Sequence, residues 1–487
     1  MTSFKSKVLS AGVWSTFDAS IRFGVQFVVS VVLARLLSPT DFGIYALTAV
    51  FISLSNVLVD GGFCAALVQR PEVTRRVETA VFWYNTIVAL CLAAAICLAA
   101  PLIARTFGHP VLRPLLYVSA TIIPINAMSA VPASLLQRNL RFDIAAKSGL
   151  TASICSGLLA MVMAVNGLGI WTFALQAMAH AMINVVLLWV FSGWRPLRGF
   201  HLAAARPLVP FGFFLAVSNL LEVAYTQGFA LIIGKLYGAR DLGFFNRGQN
   251  LQSLPGNVLT LVVTRISLPV LSTKTDDTAL RRTMKLAHGV AMIINLPLMG
   301  ALGTLADLII DVLYGPKWLP AAPILRLLAV GGVLLPLQAV NLQLILARGR
   351  SGLYLKAEVG KKLIGIAAVT LASIYGGIIG LALSQIAFSF VSFVINATIA
   401  SRFSSYPPSA QLWDLRGTVL LTGAMVALIA AVKPLLGFGS LINLAVLSVM
   451  GGLFYVATAL VLRIGATEEL VALLPIHWLR RSAAPPR

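Results

Sequence analysis

Residues 79–104 read TAVFWYNTIVALCLAAAICLAAPLIA, a stretch of spanning length without one charged side chain, bounded by Arg75, Arg76 and Glu78 before it and Arg105 after it. A helix rising ~1.5 Å per residue needs about 20 mostly apolar residues to cross a bilayer's hydrocarbon. Segments of the same kind recur at 8–34, 42–69, 112–136, 144–165, 168–191, 208–235, 243–270, 284–312, 321–346, 357–375, 377–400, 414–434 and 439–463, parted by short polar breaks. The pattern predicts an all-α polytopic membrane protein of about fourteen transmembrane helices.

Composition agrees. Of the 487 residues, 59% are hydrophobic and only 11% charged. A soluble domain carries about 25% charged residues, so this chain cannot clothe a water-facing surface. The formal charge of +21 could point to nucleic acid. The basic residues, however, are spread through the breaks between apolar runs, as membrane topology requires. With both termini cytoplasmic, inner connections take most of the Lys and Arg. The outer ones keep Arg35, Arg105, Arg113, Lys235, Arg240, Lys317 and Lys433. Cys64, Cys91, Cys97 and Cys155 lie inside apolar stretches with no paired spacing and read as small core residues. No metal cluster, nucleotide-binding loop or cofactor motif appears, and no connection is long enough for a soluble catalytic domain. The chain reads as no enzyme, with no cofactor. Trp194 and Phe200, in the inner link 192–207, suggest a segment lying at headgroup level.

The chain also repeats itself. ARLLSPTDFGIY (34–45) echoes GKLYGARDLGFF (234–245): Arg35 with Lys235, Leu36 with Leu236, Asp41 with Asp241, Gly43 with Gly243, Tyr45 with Phe245. GIWTFAL (169–175) echoes GIIGLAL (377–383). Both echoes fall at corresponding places of two six-helix blocks. The expected division is a lobe at 1–206, a repeat lobe at 207–403, an added helix pair at 404–465 and a cytoplasmic tail at 466–487. Repeats related in this way often flank a transporter's substrate path.

The stretches LARLLSPTDFGIYAL (33–47), IIGKLYGARDLGFFNRGQNLQSLPGNVLTLVVTRISLPVLS (232–272) and GLGIWTFALQ (167–176) resemble the polysaccharide exporter family of bacterial oligosaccharide-lipid flippases. The resemblance is to the colanic-acid and teichuronic-acid type, in the multidrug/oligosaccharidyl-lipid/polysaccharide exporter superfamily. It implies a V-shaped, two-lobed transporter in the bacterial inner membrane. Its cargo would be an undecaprenyl-diphosphate-linked oligosaccharide, moved to the outer leaflet by alternating access of the lobes for extracellular polysaccharide synthesis. Membrane lipids, H+ or Na+ as coupling ion and a polysaccharide polymerase or export complex are the implied partners. A cation-coupled multidrug exporter of the same superfamily is the alternative reading, and a structural partner of a polysaccharide synthase a weaker one.

Ionisable and polar groups inside spans are costly, so each is a functional candidate. Asp18, Arg22 and Gln26 follow one another at four-residue steps on a single stripe. Ser53, Asn56 and Asp60 share a face of the second span, and Asn219, Glu222 and Thr226 a face of the seventh. In the eighth, Arg247 and Arg265 stand five turns apart on one face with Asn250 and Asn257, around a Pro255-Gly256 kink. Guanidinium groups bind phosphate oxygens bidentately, which suits a diphosphate. Gln338 and Asn341 mark the tenth span, and His288 with Asn295 and Lys285 the ninth. Arg22, Gln26, Asn56, Arg247, Asn250, Asn257, Arg265, Gln338 and Asn341 are the substrate-binding candidates. Asp18, Asp60, Glu222 and His288 are the candidates for ion coupling or for lining the cavity. For each stripe the competing reading is a satisfied packing contact between helices.

Overall fold

A computed structural model describes residues 24–462 apart from 71, 201 and 274–276, without the side chains of 202, 203, 207, 211, 214, 257–273 and 351. Asp18, Arg22 and the 466–487 tail lie outside the described residues, as do the side chains of Asn257 and Arg265. The described residues form helices and no strand, and contacts divide them into two compact units, Met1–Gly243 and Phe244–Arg487.

The first unit holds α1 (Gly24–Leu36), α2 (Pro39–Asp60), α3 (Phe63–Gln69), α4 (Arg75–Phe107), α5 (Leu112–Ala120), α6 (Ile122–Arg138), α7 (Phe142–Val165), α8 (Trp171–Ser192) and α9 (Val209–Leu236). The start of α10 (Ala239–Thr273) completes it. The second unit continues with α11 (Asp277–Thr304), α12 (Ala306–Tyr314), α13 (Ala322–Gly332), α14 (Leu335–Ala347), α15 (Ser351–Tyr375), α16 (Gly377–Ser404), α17 (Pro408–Asp414), α18 (Arg416–Val432) and α19 (Ser440–Val461). The boundary by contacts falls beyond residue 206 because α9 packs along α2.

Among the described residues, eleven stretches of helix are long and apolar enough to cross a membrane. The described residues of the other three expected intervals are helical too. Of the first, Gly24–Leu36 is the described part; α10 runs unbroken for 35 residues through Pro255 and Gly256, and α15 carries Lys356, Glu358, Lys361 and Lys362 in its first half. Not every expected span is one helix. The stretch 42–69 breaks after Asp60, where Gly61 and Gly62 take left-handed backbone (φ 53° and 73°) that glycine adopts without a Cβ clash. The stretch 112–136 breaks at Thr121, and 321–346 breaks between Gly332 and Leu335.

The repeated motif now has a physical reading. Ser38 caps α2: its hydroxyl accepts from the Asp41 amide at 3.2 Å while the Asp41 carboxylate accepts from the Ser38 amide at 3.0 Å, a reciprocal capping box with Pro39 in the first turn. Gly43 allows close approach. A Cβ there would lie 1.6 Å from the Ala239 carbonyl oxygen, and one at Gly243 would lie 2.0 Å from that of Pro39. Pro39 and Ala239 each stand four residues before their own glycine, so the two copies of the motif touch by the same surface. The second echo joins the first copy, since Phe173 packs edge-on to Phe42 and stacks on Tyr45 with centroids 4.6 and 4.8 Å apart. Lipid offers no hydrophobic gain for helix pairing, so such small-residue crossings supply close van der Waals packing instead.

The link after α8 is tied down. Trp194 is buried, and its indole N–H donates to Glu78 Oε2 at 2.6 Å; Arg75 donates to the Arg195 carbonyl at 2.9 Å, and Thr79 accepts from the Leu197 amide at 3.0 Å. Phe200 stays exposed, its ring 4.9 Å from that of Trp83.

Candidate functional site

In the first unit, three approaches set the register of α2 against α9. Leu47 meets Gly234, Ser53 accepts a hydrogen bond from Gln227 Nε2 at 3.4 Å, and Gly62 lies against Gly212. The helices are therefore antiparallel, and Glu222 comes level with Asn56. Two polar stripes, Ser53-Asn56-Asp60 and Glu222-Thr226-Gln227, thus stand on neighbouring helices. Glu222 is exposed, and Asn56 and Asp60 are half-buried. Asp60 also has a local duty: its Oδ1 accepts from the Cys64 amide at 3.2 Å, beyond the glycine break. The stripe offers carboxylate and amide groups suited to sugar hydroxyls or a small cation. Gln26, on α1, is exposed.

The second unit engages its polar groups more fully. Arg247 is buried with its guanidinium 5.9 Å from the centre of the Tyr314 ring, an arrangement that offsets desolvation of the charge. Burial raises the pKa of Tyr314, and the nearby Arg247 opposes that shift. Asn250 is exposed and donates to Asn246 at 2.9 Å. Gln338 donates to the Ser389 carbonyl at 3.2 Å and hydroxyl at 3.1 Å. Asn341 is fully buried in a reciprocal amide pair with Gln411, at 2.9 and 3.2 Å, and Gln411 donates a second time to the Tyr406 carbonyl. Gln338 and Asn341 thus hold α14 to α16 and α17, while His288 is 1% exposed and lies with its ring centre 5.9 Å from Tyr406.

Several polar residues outside the candidate set prove structural. Asn295, fully buried, donates to the Gly332 and Val333 carbonyls at 3.2 and 2.9 Å, answering backbone groups released where α13 breaks from α14. Ser389, Ser392 and Asn396 form a buried stripe on α16, at a three-to-four-residue spacing that is visible in the sequence. Asp414 accepts from Tyr406 at 2.8 Å and pairs with Lys285 at 3.1 Å, with Arg281 over the Tyr406 ring. Burial, then the Asp414 carboxylate, push the Tyr406 phenol up. Beyond the end of α11, Asp307 pairs with Lys433 at 2.6 Å and Arg326 at 3.4 Å. Among the described residues no His, Cys, Asp or Glu cluster could hold a metal.

The profile of a family described as Polysaccharide biosynthesis protein matches residues 32–323. The lipopolysaccharide biosynthesis protein WzxC of Escherichia coli (strain K12) is 27% identical over 403 residues, 81% of each chain. The teichuronic acid biosynthesis protein TuaB of Bacillus subtilis (strain 168) is 24% identical over 437 residues, 87% of this chain and 89% of that one. Among solved structures, the lipid II flippase MurJ in an inward closed conformation has the same fold. Its TM-score is 0.77 at 15% identity, over 92% of this chain and 98% of that one.

Proposed function

The chain belongs to the polysaccharide biosynthesis protein family, polysaccharide exporters of the multidrug/oligosaccharidyl-lipid/polysaccharide exporter superfamily, and from that membership we propose that it flips polyprenyl-diphosphate-linked oligosaccharide units across the bacterial inner membrane. It is a multi-pass membrane transporter rather than an enzyme. The observation that carries the substrate class is the family match over 32–323, joined to a relative aligned over 81% of both chains whose name places it in lipopolysaccharide biosynthesis.

The physical task fits. A sugar chain and a diphosphate face ~30 Å of hydrocarbon, and one charge at the centre costs about 2.5–3.5 kcal/mol even on insertion scales. In this reading the polar stripes of α2 and α9 take the sugar hydroxyls, and Arg22, Arg247 and Arg265 meet the phosphates. The polyprenyl tail stays in lipid while the repeat lobes alternate access. Asp18, Asp60 and Glu222 are the groups for a coupling H+ or Na+. Both termini are cytoplasmic, and the outer product passes to a polymerase complex.

Reconstitution tests this. Vesicles containing the protein should make labelled lipid-linked oligosaccharide accessible to an impermeant lectin faster than empty vesicles do, and Asn56→Leu with Glu222→Gln should slow that exposure. Equal rates with and without protein would overturn the reading. A deletion strain that keeps its polymer and gains drug sensitivity would favour the multidrug exporter.

A further inference from the structure

Where α4 begins, two arginines are spent on holding the link after α8 in place. Arg75 donates to the Arg195 carbonyl, stands 4.0 Å from Glu78 and holds its guanidinium 5.7 Å from the centre of the Trp194 ring. Arg195 donates to the Trp189 and Trp194 carbonyls at 2.7 Å each and lies 5.3 Å from the centre of the Trp189 ring. Carbonyl dipoles and ring faces answer both charges within the fold.

Three more arginines at this end have no such duty. Arg76, Arg198 and Arg206 are exposed, and none makes a hydrogen bond or ion pair among the described residues. The Leu197 amide is bound to Thr79, one turn along α4 from Arg76, so Arg198 leaves the link beside the start of that helix. Arg206 sits on the 3-10 turn Leu202–Leu208, whose Ala205 and Leu208 pack in one apolar cluster with Ala80 and Val81 of α4. Against these cations stand Glu78, already held by Trp194, and the exposed Glu72. The level along the membrane is set by α4, whose uncharged spanning stretch opens at Thr79, three residues after Arg76. The exposed Phe200 ring lies against Trp83 beside these cations, as aromatic side chains do where headgroups meet hydrocarbon.

We propose that this end of the first unit is a docking surface for anionic phospholipid, with the phosphodiester on Arg76 and Arg198 and the acyl chains against Phe200 and Trp83. Charge selects the lipid. A phosphodiester offers oxygens to guanidinium groups, with two arginines to share them. A choline or ethanolamine headgroup would bring its own cation against the same arginines. A soluble phosphate would gain nothing from the aromatic shelf. The surface needs only the membrane spans and does not draw on the cargo assigned to the transporter.

Native mass spectrometry of the full chain in detergent, titrated with phosphatidylglycerol or with phosphatidylcholine of the same acyl chains, reads the surface. Phosphatidylglycerol should bind several-fold more tightly. An arginine near a headgroup is worth about fivefold in affinity, so Arg76→Gln with Arg198→Gln should weaken the tightest phosphatidylglycerol roughly 25-fold. Arg105→Gln removes an exposed cation from the other end of α4 and should leave that affinity unchanged. Equal affinity for the two lipids would overturn the proposal, as would equal effects of the paired variant and of Arg105→Gln. Displacement of phosphatidylglycerol by equimolar glycerol phosphate would overturn it too, by showing a free-phosphate site. No transport enters this measurement, so its failure and that of the flipping assay are told apart.

Discussion

Replacing Gly43 by alanine tests the crossing of the two motif copies. A Cβ there lies 1.6 Å from the Ala239 carbonyl oxygen, whereas ordinary contact begins near 3.4 Å, so the backbones must part by about 1.8 Å. No flexible side chain can yield, because the obstacle is main chain. Overpacking costs typically 1–3 kcal/mol, and this site belongs at the upper end. Alanine returns roughly 1 kcal/mol of helix propensity, leaving a net loss of about 2 kcal/mol. At ~2–4 °C per kcal/mol for a unit of this size, the melting midpoint should fall by roughly 4–8 °C. Gly228→Ala is the matched control: it also lies within a helix, and its Cβ meets nothing within 4 Å. Gly243→Ala should behave like Gly43→Ala, and the double variant should lose less than the sum, since one opening relieves both clashes. The assay is intrinsic-fluorescence melting of purified protein in one detergent. A Gly43→Ala midpoint indistinguishable from that of Gly228→Ala would refute the close crossing.

Two further outcomes follow from the second unit. Asn341→Leu or Gln411→Leu alone strands a buried amide and should cost ~1–3 kcal/mol, whereas the double variant should recover much of that loss; additive midpoint losses would contradict the reciprocal pair. Burial opposes ionisation of Asp307, but Lys433 and Arg326 outweigh it and hold the carboxyl below its usual range. Its stabilisation is therefore present above the unfolded carboxylate value near ~3.9 and fades as pH falls through the lower folded value. Melting curves across that acid range should flatten in Asp307→Asn, and an unchanged pH slope would show that the pair carries no linkage.

Much of the fold was legible because lipid as solvent leaves a plain signal: uncharged runs of spanning length with basic residues at their ends. The duplicated Asp-x-Gly was legible as a pattern, though its causes were not. Asp41 proves to be a capping residue, and Gly43 a point of backbone contact with a segment almost two hundred residues away, which no local periodicity can announce. The polar candidates show the deeper ambiguity. A stripe such as Gln338-Asn341 looks the same in sequence whether it faces a wet path or another helix. Its partners, Ser389 and Gln411, lie in distant segments, and Gln411 stands in what reads as a mere connection. The break after Asp60 was written in Gly61-Gly62, but the surrounding hydropathy hid it.

The contacts of α17 bear on how the chain can be shortened. Cutting after Ser404, ahead of α17, would not be a clean amputation. Asn341 would face apolar neighbours without its amide mate, Lys285 would lose its counter-charge, and Tyr406 would go with the discarded piece. A chain cut there is therefore better served by an apolar residue at the Asn341 position, whereas one cut after Asp414 keeps all three contacts, so α17 is wired into the bundle rather than being a lead to the helices after it.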